Sequence, residues 1–273
     1  MPRVRDQRRD RGQDQDRGSP RPGLRGRIRH AARTLLFFPV LLSFAAICLA
    51  WSLPAGLLYR LLPRPLGTRL GRWGISAGFR LYLGLMRGTG MLRCDLSALD
   101  ALRGERGLVI ACNHPSLLDA VLVISRLPHL ACIAKASVWD NPLLGGGVRL
   151  AGYVRNDATR GMIRQAAAAL RAGEPLLVFP EGTRTTRPPL GPVSRSFAVI
   201  AQQAGAAVQC VIIESDSPYL RKGTPLLRRP ALPLRYRVRL GPRFPAGGRP
   251  QELSDRVAAA LRAALDPAEG GRA

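Results

Sequence analysis

Gly107-Leu108-Val109-Ile110-Ala111-Cys112, running straight into Asn113-His114-Pro115-Ser116-Leu117-Leu118-Asp119, is the stretch whose reading decides the fold. Its first six residues are apolar without alternation, as in a strand buried on both faces. A polar turn follows at once, and a helical pattern covers 116–127, with Pro115 suited to a first helical position. A strand that ends in polar residues and leads into a helix is how open α/β sheets build their sites.

The same alternation continues outward. LACIA (130–134), PLLVFP (175–180), VQCVIIE (208–214) and LRYRVRL (234–240) read as further strands, and helical patterns occupy 158–172, 194–205 and 251–265. Gly173 and Gly205 stand where helix C-caps belong, and Asn156 or Asp157 can cap the helix before Gly173. Apolar strands between helices predict an α/β domain over 91–273, a mainly parallel sheet flanked by helices.

The residues able to do chemistry sit after the strands. On a regular helix, residues five apart point about 140° away from each other. His114 and Asp119 therefore meet only if His114 lies on the turn outside the helix. Asp119 then accepts from one ring nitrogen and leaves the other free as a base. Phe179-Pro180-Glu181-Gly182-Thr183-Arg184 follows the third of these strands and makes a tight polar turn. Arg184 there can hold a phosphate bidentately. Lys135, Asn141 to Gly145 and Gly152-Tyr153-Val154-Arg155 lie between the two clusters, and Arg155 is a second candidate anion contact. Ser116 does not stand in a Gly-x-Ser-x-Gly elbow, so it reads as a helix-start hydroxyl and not as a nucleophile.

In this order the motifs resemble those of the glycerolipid acyltransferase family, which includes the lysophosphatidate acyltransferases. Asn113 to Asp119 matches its His-x4-Asp block, Gly152 to Arg155 its second block and Phe179 to Arg184 its third, within a similarity covering roughly 90–245. The resemblance implies transfer of an acyl group from acyl-CoA or acyl carrier protein to a hydroxyl of a 1-acylglycerol-3-phosphate-type acceptor. His114 is then the base and Asp119 its support; Arg155, Glu181, Gly182, Thr183 and Arg184 bind substrate, Glu181 by positioning the acceptor's hydroxyls or the arginine. It implies no cofactor beyond the donor substrate. Two departures bear on the acceptor. The prolines usual in the fourth block are missing from Ala206-Ala207-Val208-Gln209-Cys210-Val211, and the lysine and glycine frequent after the third block are replaced around Val193-Ser194-Arg195-Ser196. The segment Ser217 to Gly223 resembles members from aryl polyene pigment pathways. A specialised lipid or pigment acyltransferase, or a lipid hydrolase using the same His/Asp pair on water, are the alternatives.

The N-terminal third points to a membrane. Thr34 to Tyr59 is 26 residues without a charge, long enough for a bilayer that needs roughly 20 apolar residues. Pro39, Pro54 and Gly56 leave room for a kink or a re-entrant hairpin. No Asp or Glu occurs between Arg17 and Cys94, and arginines flank the run on both sides. A segment that dips in and returns keeps both flanks on the cytoplasmic face, in line with the positive-inside tendency. As a helix, 66–87 sets Arg69, Arg72, Arg80 and Arg87 within about an 80° arc, suited to anionic headgroups, with glycines opposite. Residues 31–90 are thus expected as a membrane-docking helical hairpin on the cytoplasmic face of the inner (plasma) membrane, with membrane lipids as partners.

Residues 1–30 are a polar, basic tail expected to be disordered. The formal charge is +24, carried by forty arginines beside only Lys135 and Lys222. Such a charge suits membrane lipids and acidic donors. Nucleic acid is not expected as a partner, because no aromatic residue interleaves the tail's arginines for base stacking. The five cysteines show no metal-ligand or disulfide spacing, and read as small apolar residues in a reducing compartment.

Overall fold

The computed structural model describes residues 24–157 and 160–266. Of the expected tail, residues 1–23 lie outside the described residues, and a helix already begins at Leu24. This helix, α1 (Leu24–Leu61), takes in the whole apolar run, with Pro39 and Pro54 inside it. The run does not re-enter at its prolines. The chain turns at Leu62 and Pro63 and returns as α2 (Arg64–Gly88), so the hairpin consists of two full helices. Pro63 and Pro65 flank the start of α2, where a missing N–H costs nothing. Leu35–Leu61 is the one segment among the described residues long and apolar enough to cross a membrane.

Seven strands follow: β1 (Leu92–Asp95), β2 (Val109–Cys112), β3 (Ala131–Lys135), β4 (Val154–Asn156), β5 (Leu176–Val178), β6 (Val208–Ser215) and β7 (Leu234–Phe244). They form one sheet in the order β1-β7-β6-β2-β5-β3-β4. Every neighbouring pair is parallel except β6–β7. The expected strands are all present, and β1 and β4 are additional edge strands. β2 sits at the centre with all four residues buried, as its unbroken apolar run requires.

Helices cover both faces. A short 3-10 turn (Ser97–Leu102), α3 (Asp119–Arg126) and the α1/α2 hairpin close one core with Ile110, Leu177, Ile213 and Leu234. On the other face α6 (Arg160–Arg171), α7 (Ser196–Ala204) and α8 (Pro250–Leu265) pack on Val109, Leu176, Val208 and Ile212. Gly205 takes the left-handed C-cap of α7 at φ 65°, and Gly173 has φ 85° just after α6. Asn156 belongs to β4, and residues 158–159, where α6 was expected to begin, lie outside the described residues.

Two short helices, α4 (Ala136–Trp139) and α5 (Gly145–Leu150), join β3 to β4 and receive the hairpin. Contact there is at backbone distance. A Cβ on Gly146 would stand 2.1 Å from the Ser52 carbonyl oxygen, and one on Gly74 would stand 2.1 Å from the Trp51 ring. Only glycine permits either approach. Higher up, Phe44 stacks on Phe79 and meets Tyr82 at 4.8 Å between ring centroids. The outer side of α1 stays open along its length through Leu35, Leu42, Leu49, Leu53 and Leu57.

The arginine stripe of α2 is broken at one position. Arg69, Arg80 and Arg87 are exposed, but Arg72 is buried and does not reach a headgroup. Its Nε donates to the Ala151 carbonyl, Nη1 to that of His129 and Nη2 to Glu174 at 2.7 Å. It lies at the inner margin of the arc, so a modest rotation of the helix turns it to the protein.

Candidate active site

The site forms where β2 and β5 end. Asn113, the first residue after β2, is buried and extends the ladder with its side chain. Its Nδ2 donates to the Ile213 carbonyl at 2.9 Å and its Oδ1 accepts from the Ile213 N–H at 2.7 Å. This clamp fixes where the chain leaves the sheet, and His114 comes next.

Pro115 is not helical. Residues 113–118 form a turn and α3 begins at Asp119, so the five-residue spacing spans a loop and both side chains can converge. His114 Nδ1 lies 2.8 Å from Asp119 Oδ2, which also accepts from the Ser116 N–H at 2.7 Å. Ser116 Oγ accepts from the Leu118 N–H and lies 2.8 Å from the hydroxyl of Tyr236 on β7. Ser116 is thus a loop-fixing hydroxyl. The imidazole stacks on Phe179 at 4.0 Å and 21°, and its Nε2 has no protein partner among the described residues.

Asp119 is fully buried, and burial pushes its carboxyl up to about 6 against the lowering effect of the His114 hydrogen bond. Its Oδ1 has no partner among the described residues. An ionised Asp119 in this position favours the Nδ1–H tautomer and leaves the lone pair on Nε2.

Beyond β5, Gly182 turns the chain at φ 65°. The roles expected for the next residues divide. Glu181 neither contacts Arg184 nor presents a free carboxylate. Its Oε1 accepts from the His114 N–H at 3.0 Å and the Thr185 hydroxyl at 2.8 Å, and its Oε2 from the Gly191 N–H at 2.7 Å. With Thr185 N–H donating to the His114 carbonyl, Glu181 ties the two loops together. The carboxylate is drawn in by three donors of its own protein. Arg184 is held by the Leu220 and Arg221 carbonyls through Nη1, leaving Nε and Nη2 without protein partners among the described residues. Thr183 and Gly182 lie on the same turn. Arg155 stands apart from this cluster on β4, paired with Asp140 at 2.7 Å and with Asp157 at 3.5 Å.

Phe179 and Tyr236 had no assigned role in the sequence. Tyr236 was detectable: Leu234, Tyr236 and Val238 alternate with arginines, and alternation turns the tyrosine inward. The described residues contain no cluster of metal-ligating side chains.

An imidazole nitrogen without a protein partner among the described residues, backed by a buried carboxylate, thus stands at the C-terminal ends of a mostly parallel sheet. Residues 93–214, from β1 to β6, match the family model Acyltransferase. The chain is 28% identical over 135 residues to the 1-acyl-sn-glycerol-3-phosphate acyltransferase of Cocos nucifera, covering 47% of this chain and 44% of that protein. It is 34% identical over 122 residues to the lyso-ornithine lipid O-acyltransferase of Pseudomonas aeruginosa, covering 43% and 45%. The chain thus spans under half the length of these two curated relatives. The crystal structure of the 1-acyl-sn-glycerophosphate acyltransferase PlsC from Thermotoga maritima superposes with a TM-score of 0.68 at 19% identity, over 88% of this chain and 99% of that one, which establishes the shared fold.

Proposed function

We propose that the protein is a membrane-bound O-acyltransferase that moves a fatty acyl group from acyl-CoA or acyl carrier protein to the hydroxyl of a 1-acylglycerol-3-phosphate-type lysolipid. The observation that carries this reading is the His114–Asp119 pair with an unengaged Nε2, set in a segment that matches the family model Acyltransferase. Nε2 takes the acceptor's hydroxyl proton as the oxygen attacks the thioester carbonyl. The tetrahedral intermediate collapses, the C–S bond breaks, and the imidazolium returns the proton to the departing thiolate. Asp119 holds the ring and stabilises its cationic form. Arg184 Nε and Nη2 bind the acceptor's phosphate; Arg155, already shared between two aspartates, is the lesser contact. The arginine-flanked α1/α2 hairpin docks on the cytoplasmic face and brings the acceptor from the bilayer.

The 34% identity to a lyso-ornithine lipid enzyme favours one second reading, an acceptor whose anion is a carboxylate, which Arg184 can also bind. The test is mass spectrometry of products from purified protein given each lysolipid with acyl-CoA or acyl carrier protein. Acylated lysophosphatidate supports the first acceptor and acylated lyso-ornithine lipid the second. Free fatty acid alone refutes transfer to a lipid. His114→Ala should lower the rate about 10²–10⁴-fold, and retention of more than about a tenth of it removes His114 as base.

A further inference from the structure

Between β6 and β7 the chain makes a proline-rich loop over residues 216–233. Its tip carries Leu226 and Leu227, which are 47% and 69% exposed. Two exposed leucines alone are ordinary surface; what matters is what surrounds them.

The loop tip is tied to the hairpin. Tyr219 donates its hydroxyl to the Leu226 carbonyl at 2.9 Å, and its ring meets Phe37 of α1 at 5.9 Å between centroids. Phe37 in turn packs edge-on against Phe38, which opens onto the outer side of α1. One tyrosine therefore bridges the loop tip to the exposed apolar surface of α1. Charge agrees with this placement. Lys222 and Arg228 flank the pair and are exposed, and Arg228 and Arg229 line a cavity of about 690 Å³ at the loop together with Arg235, which is paired there with Asp216 at 3.5 Å. The Arg229 Nε is buried there without a partner among the described residues.

We propose that this loop is a second membrane contact: Leu226 and Leu227 enter an anionic bilayer beside α1, with lipid phosphates against the surrounding basic side chains. Leucines flanked by cations match the apolar layer and the charged surface of such a bilayer. The same loop supplies the Leu220 and Arg221 carbonyls that hold Arg184. The bilayer surface would then bear directly on the segment that positions the acceptor's anion. The proposal rests on the membrane reading of the hairpin.

The test is tryptophan emission from full-length protein on vesicles of brominated phosphatidylcholine and phosphatidylglycerol, comparing wild type with Leu227→Trp. Leu227 is exposed, so the replacement disturbs no packing. Trp73, 58% exposed on α2, reports whether the hairpin docks, through the difference between wild type and Trp73→Phe. The expected result is that both Trp73 and the tryptophan at 227 lose intensity to the brominated lipid. Quenching of Trp73 with position 227 unquenched and open to aqueous acrylamide overturns the loop contact alone. Quenching of neither overturns the membrane reading, and the loop contact with it.

Discussion

Glu181→Gln tests whether the acid of the Glu181-Gly182-Thr183-Arg184 turn serves the substrate or the scaffold. The carboxylate accepts from three donors at 2.7–3.0 Å and donates nothing. Glutamine keeps one oxygen. In its best orientation that oxygen still serves the His114 N–H and Thr185, and the new NH2 faces the Gly191 N–H. One charge-assisted bond, worth about 1.5–3 kcal/mol, becomes a donor facing a donor, and the other two weaken to neutral bonds. The summed loss is about 2–4 kcal/mol for this half-buried site. The slackened tether also lets His114 drift, and a misplacement of the order of 1 Å costs up to about a hundredfold in kcat. Acceptor KM should stay near wild type, because three of the carboxylate's roughly four acceptor directions are already taken by its own protein. Urea unfolding in detergent and steady-state kinetics measure both effects. A variant within about 0.5 kcal/mol of wild type whose acceptor KM rises tenfold would refute the scaffold role.

Arg184→Lys keeps the charge but loses the planar edge of Nε and Nη2 that can grip an anion bidentately while Nη1 holds two carbonyls, so acceptor KM should rise about tenfold or more with donor KM unchanged; a rise confined to donor KM moves Arg184 to the donor site. Asp119 takes up a proton as pH falls through about 6, so the rate should fall on that side with an apparent midpoint near 6; a profile flat down to pH 5 excludes an ionised Asp119 as the histidine's support. In stability the sign is reversed: burial raises the folded carboxyl above its ordinary 3.8, so its contribution is full below about pH 4 and lost as pH rises through about 6. Asp119→Asn should therefore gain on wild type in urea midpoint between pH 4 and 7, and a constant gap contradicts this. Arg72→Gln should cost about 2–3 kcal/mol by leaving two carbonyls without a donor and unpairing the partly exposed Glu174, whereas Gln at Arg69, Arg80 or Arg87 should cost about 0.5 kcal/mol or less; equal unfolding midpoints across the four would count against the buried role.

The central sheet was legible because β2, β5 and β6 are buried on both faces, and burial on both faces writes an unbroken apolar run. β1 and β4 were not, since edge strands of four and three residues carrying Arg93, Asp95, Arg155 and Asn156 need no such run. Gly145-Gly146-Gly147 carries no helical signal of its own. Its helix exists because α1 lies against it at backbone distance, a fact that belongs to another part of the chain. The same holds for Arg72, whose place in a helical arc was right and whose burial is decided by Glu174, about a hundred residues away. At the site, motif spacing brought His114, Asp119 and the Glu181 turn to the ends of neighbouring strands. The division of labour within the turn was hidden, because Glu181's partners are mostly backbone N–H groups, which every sequence has and none advertises.

The glycine-lined seam has a consequence for where chemistry happens in relation to the bilayer. A helix tethered by a linker lets its domain bob and tilt at the surface. Here α1 and α5 touch through their backbones at Gly146, and α1 and α2 interlock at Gly74, leaving no joint about which the hairpin can swing. Whatever depth and angle α1 adopts in lipid, the sheet inherits, and His114 with it. The height of the imidazole above the membrane plane is then a fixed dimension of the molecule. On the proposed reading, that dimension would set how far up from the acyl region an acceptor hydroxyl must stand to be reached, and a Gly146→Leu substitution that opened the seam would blur that selection before it touched any residue at the site.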